Sequence, residues 1–248
     1  MGTLKTALKK LLTPTQVTLL KRTISPLYMR LYSSNIRALA EFTGTDKWGG
    51  HWYADHYKTH FEPLRRHRLN VLEIGVLQGA SLRTWKSFFP RSHIYGIDIE
   101  DKRAHEEHRI TTFQGSQDDP EFLRRVVNEI GTVDIVIDDG SHVSGHVITS
   151  FRTLFPLLNE TGIYVVEDTQ TSYWPSFGGN SKDVNDLNTT MGYFKSLIDG
   201  LNFEEYLTND YDPTYYDKHI VSMHFYHNLV FIYKGVNNEG SINKPTPS

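Results

Sequence analysis

From residue 70 onward the chain alternates short, continuously apolar runs with longer amphipathic stretches. The runs at 71–76, 94–99, 110–113, 133–140 and 162–168 are brief and aliphatic, several closing on a glycine or an acid, and read as strands. Between them apolar positions return at helical spacing: Leu82, Trp85 and Phe89 before Pro90, then Phe122, Val126, Val127 and Ile130 within 120–130, and a further helix over 144–158. Strands that are apolar throughout, separated by helices, predict a parallel sheet covered on both faces. Near the end, 219–225 and 229–234 flank Tyr226-His227-Asn228 and predict an antiparallel hairpin at the sheet edge. Ahead of the sheet, the polar, aromatic and glycine-punctuated segment 42–53 predicts a loop, followed by a short helix over roughly 53–66. The expected class is α/β, a doubly wound, mostly parallel sheet with a C-terminal antiparallel hairpin.

Composition refines the ends. With 248 residues, 38% of them apolar, one compact domain is expected. We divide the chain into an arm over 1–40, a domain over 41–235 and a flexible tail over 236–248. The net charge of −3 conceals an asymmetry: Lys5, Lys9, Lys10, Lys21, Arg22, Arg30 and Arg37 face no acid within residues 1–40, so the body carries all 29 acidic residues. Leu4, Leu8, Leu11 and Leu12 share one helical face before Pro14, which predicts a basic N-terminal helical arm. Such an arm suits packing on its own domain or on a second copy in a homo-oligomer, and peripheral membrane contact through residues 1–22 is the other reading. No apolar run approaches 18 residues, and lysines interrupt the N-terminal apolar stretches before signal-peptide length. There is no cysteine, hence no disulfide, no thiolate metal site and no cysteine nucleophile. These features point to a cytoplasmic protein without a transmembrane segment, and we expect no nucleic-acid partner.

Two groups of residues carry candidate chemistry. Glu73-x-Gly75-x-x-x-Gly79, with Ser81 just beyond, places glycines where a strand turns into a helix, so a ligand can approach the backbone and the free N–H groups of the helix start. Asp98 ends the next strand, where an acid accepts ribose hydroxyls or caps the segment that follows. The second group is Asp138-Asp139-Gly140-Ser141-His142 at the end of the fourth strand and Glu167-Asp168 at the end of the fifth. Adjacent parallel strands end on one rim, about 5 Å apart. Four carboxylates are therefore expected to converge beside an imidazole, and a hard divalent cation would relieve their repulsion; oxygen ligands favour Mg²⁺, with Mn²⁺ or Ca²⁺ as alternatives. His146, four residues after His142, is expected to share its helical face.

The first group, together with the terminal hairpin, resembles class I S-adenosylmethionine-dependent methyltransferases, which implies a Rossmann-like fold with the glycine turn beside the methionine moiety and Asp98 on the ribose. By that resemblance Gln117, with Asp118, flanks the adenine. The run from Asp138 to His142, followed by Glu167-Asp168-Thr169-x-Thr171-Ser172-Tyr173-Trp174-Pro175, resembles the metal-dependent sugar O-methyltransferases of the mycinamicin and macrocin type over roughly residues 40–235. The resemblance implies Asp139, Glu167 and Asp168 as Mg²⁺ ligands and His142 as general base. It places Glu73, Gly75, Gly79, Ser81, Asp98, Gln117, Asp138 and Lys47 on the cofactor side, with Thr45-Asp46-Lys47 in a loop closing over cofactor and acceptor. Tyr173, Trp174 and His146 are expected to face the substrate, a sugar-containing small molecule or glycan. Rival readings are a metal-dependent hydroxylase on the same scaffold and a non-catalytic metal- and nucleoside-binding module.

Overall fold

The computed structural model describes residues 26–208 and 210–241. The leucine face at residues 4–12 and most of the basic arm lie outside the described residues, as does the tail from residue 242. In chain order the elements are α1 (Ile36–Thr43), α2 (Ala54–Phe61), β1 (Asn70–Ile74), α3 (Ala80–Phe88), β2 (His93–Asp98), β3 (Ile110–Gln114), α4 (Pro120–Ile130), β4 (Val133–Asp138), α5 (Ser144–Leu154), β5 (Leu158–Glu167), α6 (Thr190–Ser196), α7 (Tyr215–His219), β6 (Ile220–Tyr226) and β7 (Leu229–Lys234). They build one seven-stranded sheet in the order β3-β2-β1-β4-β5-β7-β6. β1 to β5 pair in parallel, and β7 runs antiparallel to both β5 and β6. This is the Rossmann-like arrangement, with the order reversing between β1 and β4, where open α/β sheets bind ligands at their carboxyl ends.

Side chains alternate between the two faces of a strand, and the core divides accordingly. Leu72, Ile74, Val136, Tyr164 and Val166 pack with α4, α5 and α6 through Leu123, Val126, Phe151 and Phe194. Val71, Ile135, Ile137 and Val165 face α1, α2 and α3 through Leu39, Tyr57, Phe61, Leu82 and Trp85. The same parity continues to the strand tips and decides which acids meet.

Several element ends differ from expectation, mostly at prolines. The helix expected over 53–66 stops at Phe61 and gives way to a 3₁₀ turn over Glu62–Leu64 containing Pro63. The helix expected over 144–158 stops at Leu154, because Pro156 has no N–H to continue the ladder; a 3₁₀ turn over Phe155–Leu157 leads directly into β5. Lys234 Nζ then donates to Pro156 O (2.8 Å) and Leu158 O (2.7 Å), carbonyls that this early ending frees. The boundary expected at residue 40 falls inside α1, whose Ile36, Leu39 and Ala40 are buried in the core. Among the described residues no helix is long and apolar enough to cross a membrane.

Candidate active site

The turn after β1 is built around Gly75, at φ 94°, where a Cβ would lie 2.1 Å from the Asp139 carbonyl oxygen. Only glycine lets the β1 and β4 tips approach so closely. Asp98, at the tip of β2, accepts from Val76 N (3.0 Å) and Leu77 N (3.1 Å) through Oδ2 and from Glu100 N (2.9 Å) through Oδ1. It thus shapes the turn and caps the segment after β2, while its remaining lone pairs border the adjoining space.

That space is an open cavity of 510 Å³ lined by Gly75, Ser81 and Asp98 on one wall and by Asp139, His142 and Asp168 on the other, with Thr45 and Asp46 of the 42–53 loop also contributing. A second pocket of 290 Å³ shares Gly75, Asp98 and Gly140 and continues between Ile99, Gln117 and His146. Among the described residues, three of the five non-glycine residues with positive φ, Leu77 (49°), His142 (57°) and Asp168 (54°), line the larger cavity. Backbone strain of this kind persists where surrounding structure imposes it and gathers at functional sites. Here Thr171 Oγ1 ties two of these positions together, donating to the carbonyls of His142 and Asp168 at 2.9 Å each.

The carboxylates do not all converge. Asp138 points to the α5 face, where it accepts from Gln117 Nε2 (3.0 Å), Tyr164 Oη (3.1 Å) and Ser150 Oγ. It reaches neither cavity, because parity at the end of β4 sends it opposite to Asp139. Glu73, Asp139 and Glu167 share the other face and surround Lys47, whose fully buried Nζ lies 3.3, 2.7 and 2.6 Å from Glu73 Oε1, Asp139 Oδ2 and Glu167 Oε1. Tyr57 Oη also donates to Glu167 Oε1. Burial works against the Lys47 charge, but the three carboxylates outweigh it and hold the ammonium well above its usual pKa. Burial pushes Glu167 well up, reinforced by Asp139 and opposed by Lys47. Neither oxygen of Glu73 makes a hydrogen bond among the described residues.

Asp168 stands nearer the cavity. Tyr53 Oη donates to its Oδ1 at 2.7 Å, His51 Nε2 lies 3.6 Å from the same atom, and His142 Nε2 lies 3.6 Å from Oδ2. His142 Nε2 is also 4.0 Å from Asp139 Oδ1. Among the described residues two groups have the spacing to hold a cation: Asp139 with His142 and Asp168, open to the cavity, and Glu73 with Asp139 and Glu167, buried around Lys47. Asp139 is common to both. The open group offers two carboxylates and one imidazole, and the carboxylates are the donors that suit a hard divalent ion.

These positions differ from expectation at six residues. Glu73, Lys47 and Asp138 line neither pocket: Asp138 turns to the opposite face of the sheet, whereas Glu73 and Lys47 lie fully buried on the same face as Asp139. His146 does not share a helical face with His142, since α5 begins only at Ser144 and His142 precedes it in a left-handed conformation; its Nδ1 meets Ser141 Oγ at 3.0 Å and its Nε2 lies 3.4 Å from Asp118, beside the smaller pocket. Tyr173 and Trp174 are solvent-exposed, the latter against Phe177, and do not line the larger cavity. Expectation also missed the roles of Tyr53 and Tyr57. Their i, i+4 spacing at the start of α2 was the available signal.

Comparison with known proteins finds methyltransferases. A family model described as a methyltransferase domain matches residues 72–169. Demethylmacrocin O-methyltransferase of Streptomyces fradiae is 50% identical over 208 residues, 80% of this chain and 52% of that protein. The 8-demethyl-8-alpha-L-rhamnosyl tetracenomycin-C 2'-O-methyltransferase of Streptomyces olivaceus is 47% identical over 211 residues, 82% of this chain and 55% of that protein. The structure of MycE methyltransferase from the mycinamycin biosynthetic pathway, in complex with Mg and SAH, superposes with a TM-score of 0.82 at 46% identity, covering 84% of this chain and 56% of that one. The chain thus spans about half the length of the relatives it matches. It carries a methyltransferase domain, and its homologues include sugar O-methyltransferases of the macrocin and mycinamicin type.

Proposed function

We propose that the protein is a Mg²⁺-dependent O-methyltransferase that moves the methyl group of S-adenosylmethionine to a hydroxyl of a sugar-containing acceptor. One observation carries this reading: a single cavity has the glycine turn, Ser81 and Asp98 on one side and Asp139, His142 and Asp168 on the other. A donor held by the first wall faces a proton acceptor and oxygen ligands on the second. The relatives named above are O-methyltransferases by name, one of them for a rhamnosyl compound, which supports a sugar hydroxyl as acceptor.

In this reading Gly75, Gly79, Ser81 and Asp98 seat the donor's methionine and ribose parts, and Gln117 borders its adenine in the smaller pocket. Gln117 is well placed to be rigid, since its Oε1 accepts from Ser141 N at 2.6 Å while its Nε2 is held by Asp138. Asp139, Glu167 and Asp168 hold the ion, which when bound stabilises negative charge developing on the acceptor oxygen. His142 Nε2 takes the hydroxyl proton. The carbon–sulfur bond breaks as the carbon–oxygen bond forms, the sulfonium becomes the neutral thioether of S-adenosylhomocysteine, and the proton remains on the imidazole. Because the methyl is already activated, the remaining work is alignment. Tyr173 and Trp174, exposed beyond Asp168, are assigned to the acceptor side, and assembly with a second copy belongs to the same proposal.

The hydroxylase rival requires two imidazoles and one carboxylate, whereas the open group holds one imidazole and two carboxylates. The test is incubation with isotopically labelled S-adenosylmethionine and a panel of glycosides. We expect label transfer that stops with EDTA and returns with Mg²⁺. Undiminished transfer in metal-free buffer would refute the ion's role, and product formation that needs dioxygen would favour the hydroxylase.

A further inference from the structure

Each rim carboxylate has one oxygen held from inside the protein. Lys47 Nζ holds Asp139 Oδ2 at 2.7 Å and Glu167 Oε1 at 2.6 Å, Tyr57 Oη donates to the same Glu167 oxygen, and Tyr53 Oη donates to Asp168 Oδ1 at 2.7 Å. For the two acids nearest His142, its Nε2 approaches the opposite oxygen in each case, Asp139 Oδ1 at 4.0 Å and Asp168 Oδ2 at 3.6 Å. We propose that Lys47, Tyr53 and Tyr57 form an inner clamp that fixes which oxygen of Asp139, Glu167 and Asp168 is presented to a divalent cation. This rests on the reading of those three acids as the ion's ligands.

The clamp comes from one short stretch of chain. The Lys47 carbonyl accepts from Tyr53 N (3.2 Å) and Ala54 N (3.1 Å), so the turn that carries Lys47 inward is also the one that starts α2. Tyr53 and Tyr57 then follow one helical turn apart, both buried, their hydroxyls reaching neighbouring acids of β5 and the residue after it. None of the three lines the larger cavity. They are positioning residues: a carboxylate whose inner oxygen is fixed meets the ion with little further loss of rotational freedom.

Lys47 admits an opposite role, as a built-in cation that a metal must displace. The two roles differ in sign. If Lys47 is a placeholder, its removal tightens metal binding; if it is part of a clamp, its removal weakens it.

Mn²⁺ binding to the full chain, followed by electron paramagnetic resonance with Mg²⁺ as competitor, separates them. S-adenosylhomocysteine affinity in metal-free buffer and the Tm are measured on the same samples. Wild-type protein should bind Mn²⁺. Tyr53→Phe should weaken it by about tenfold to a hundredfold, the loss typical of removing a partner of a ligand, with the nucleoside affinity and Tm close to wild type. Lys47→Met should also weaken it. Should Lys47→Met fail to fold, Tyr53→Phe decides the matter alone. Variants that bind Mn²⁺ as well as or better than wild type overturn the clamp while leaving the ligand assignment standing. Wild-type protein that binds no Mn²⁺ overturns the ligand assignment, and the clamp with it.

Discussion

Two buried acid clusters lie on opposite faces of the sheet at the tip of β4, and they are built on contrary principles. Around Asp138 every partner is neutral: Gln117, Ser150 and Tyr164 supply donors, and the carboxylate is saturated and closed off from both pockets. Around Asp139 one ammonium serves three acids, Glu73 has no hydrogen bond among the described residues, and the cluster opens onto a cavity through Asp139 and Asp168. Burying charge without full compensation is costly. In the function proposed above, the first face is the one kept for chemistry and the second, whose acid is satisfied by neutral donors, is structural.

The largest expected effect tests the functional side. His142→Ala should reduce label transfer by about a hundredfold to ten-thousandfold, the usual worth of a positioned general base. Calorimetry should still show normal S-adenosylhomocysteine binding, because His142 sits on the wall opposite the glycine turn. Unchanged turnover alongside normal nucleoside affinity would remove His142 from the role of base.

The structural side should respond in the converse way. Asp138→Ala removes the acceptor shared by Gln117, Ser150 and Tyr164 and leaves them the longer contacts to Ser150 Oγ and the Val147 carbonyl, at a cost of about 1–3 kcal/mol. Thermal or denaturant unfolding should report that loss while Mn²⁺ affinity stays near wild type. Lost metal binding with an unchanged Tm would mean that the two faces are not divided as described.

Much of this division was available in the residue order. Alternating strands and helices predict the parallel sheet, and the two acid-tipped strands are adjacent in it. Parity was legible too: Asp138 ends β4 and Asp139 follows it directly, so their side chains leave on opposite faces of the sheet, Asp139 on the face of Ile137. What could not be read is Lys47. It lies 92 residues from Asp139 and 120 from Glu167, in a segment with no regular period, and only the folded loop brings it inside. The acids called for a cation, and a divalent ion was the only one that local reasoning suggested; the fold supplies an ammonium as well. α6 was missed for a related reason. It is a short helix whose Tyr193 and Phe194 are recruited by the core through Phe151, with little of a repeating pattern to announce it.

The smallest expected effect bears on the excess charge itself. Burial raises the pKa of Glu73, Lys47 opposes the rise and Asp139 adds to it, with the net shift upward from the ordinary value near 4.5. A carboxyl whose folded pKa exceeds its unfolded one binds more protons in the folded state between the two values. Stability therefore falls as pH rises through that window, and it stays lowered above the folded pKa. Glu73→Gln keeps the shape and removes the ionisation. The variant should match wild type below pH 4.5 and become the more stable of the two as pH rises toward 7, in protein free of metal. Calorimetric Tm values across that range measure the gap, which should open upward with pH. A gap that closes as pH rises would mean that Lys47 more than compensates Glu73, making this acid a contributor to the fold like Asp138 and erasing the contrast between the two faces at that position.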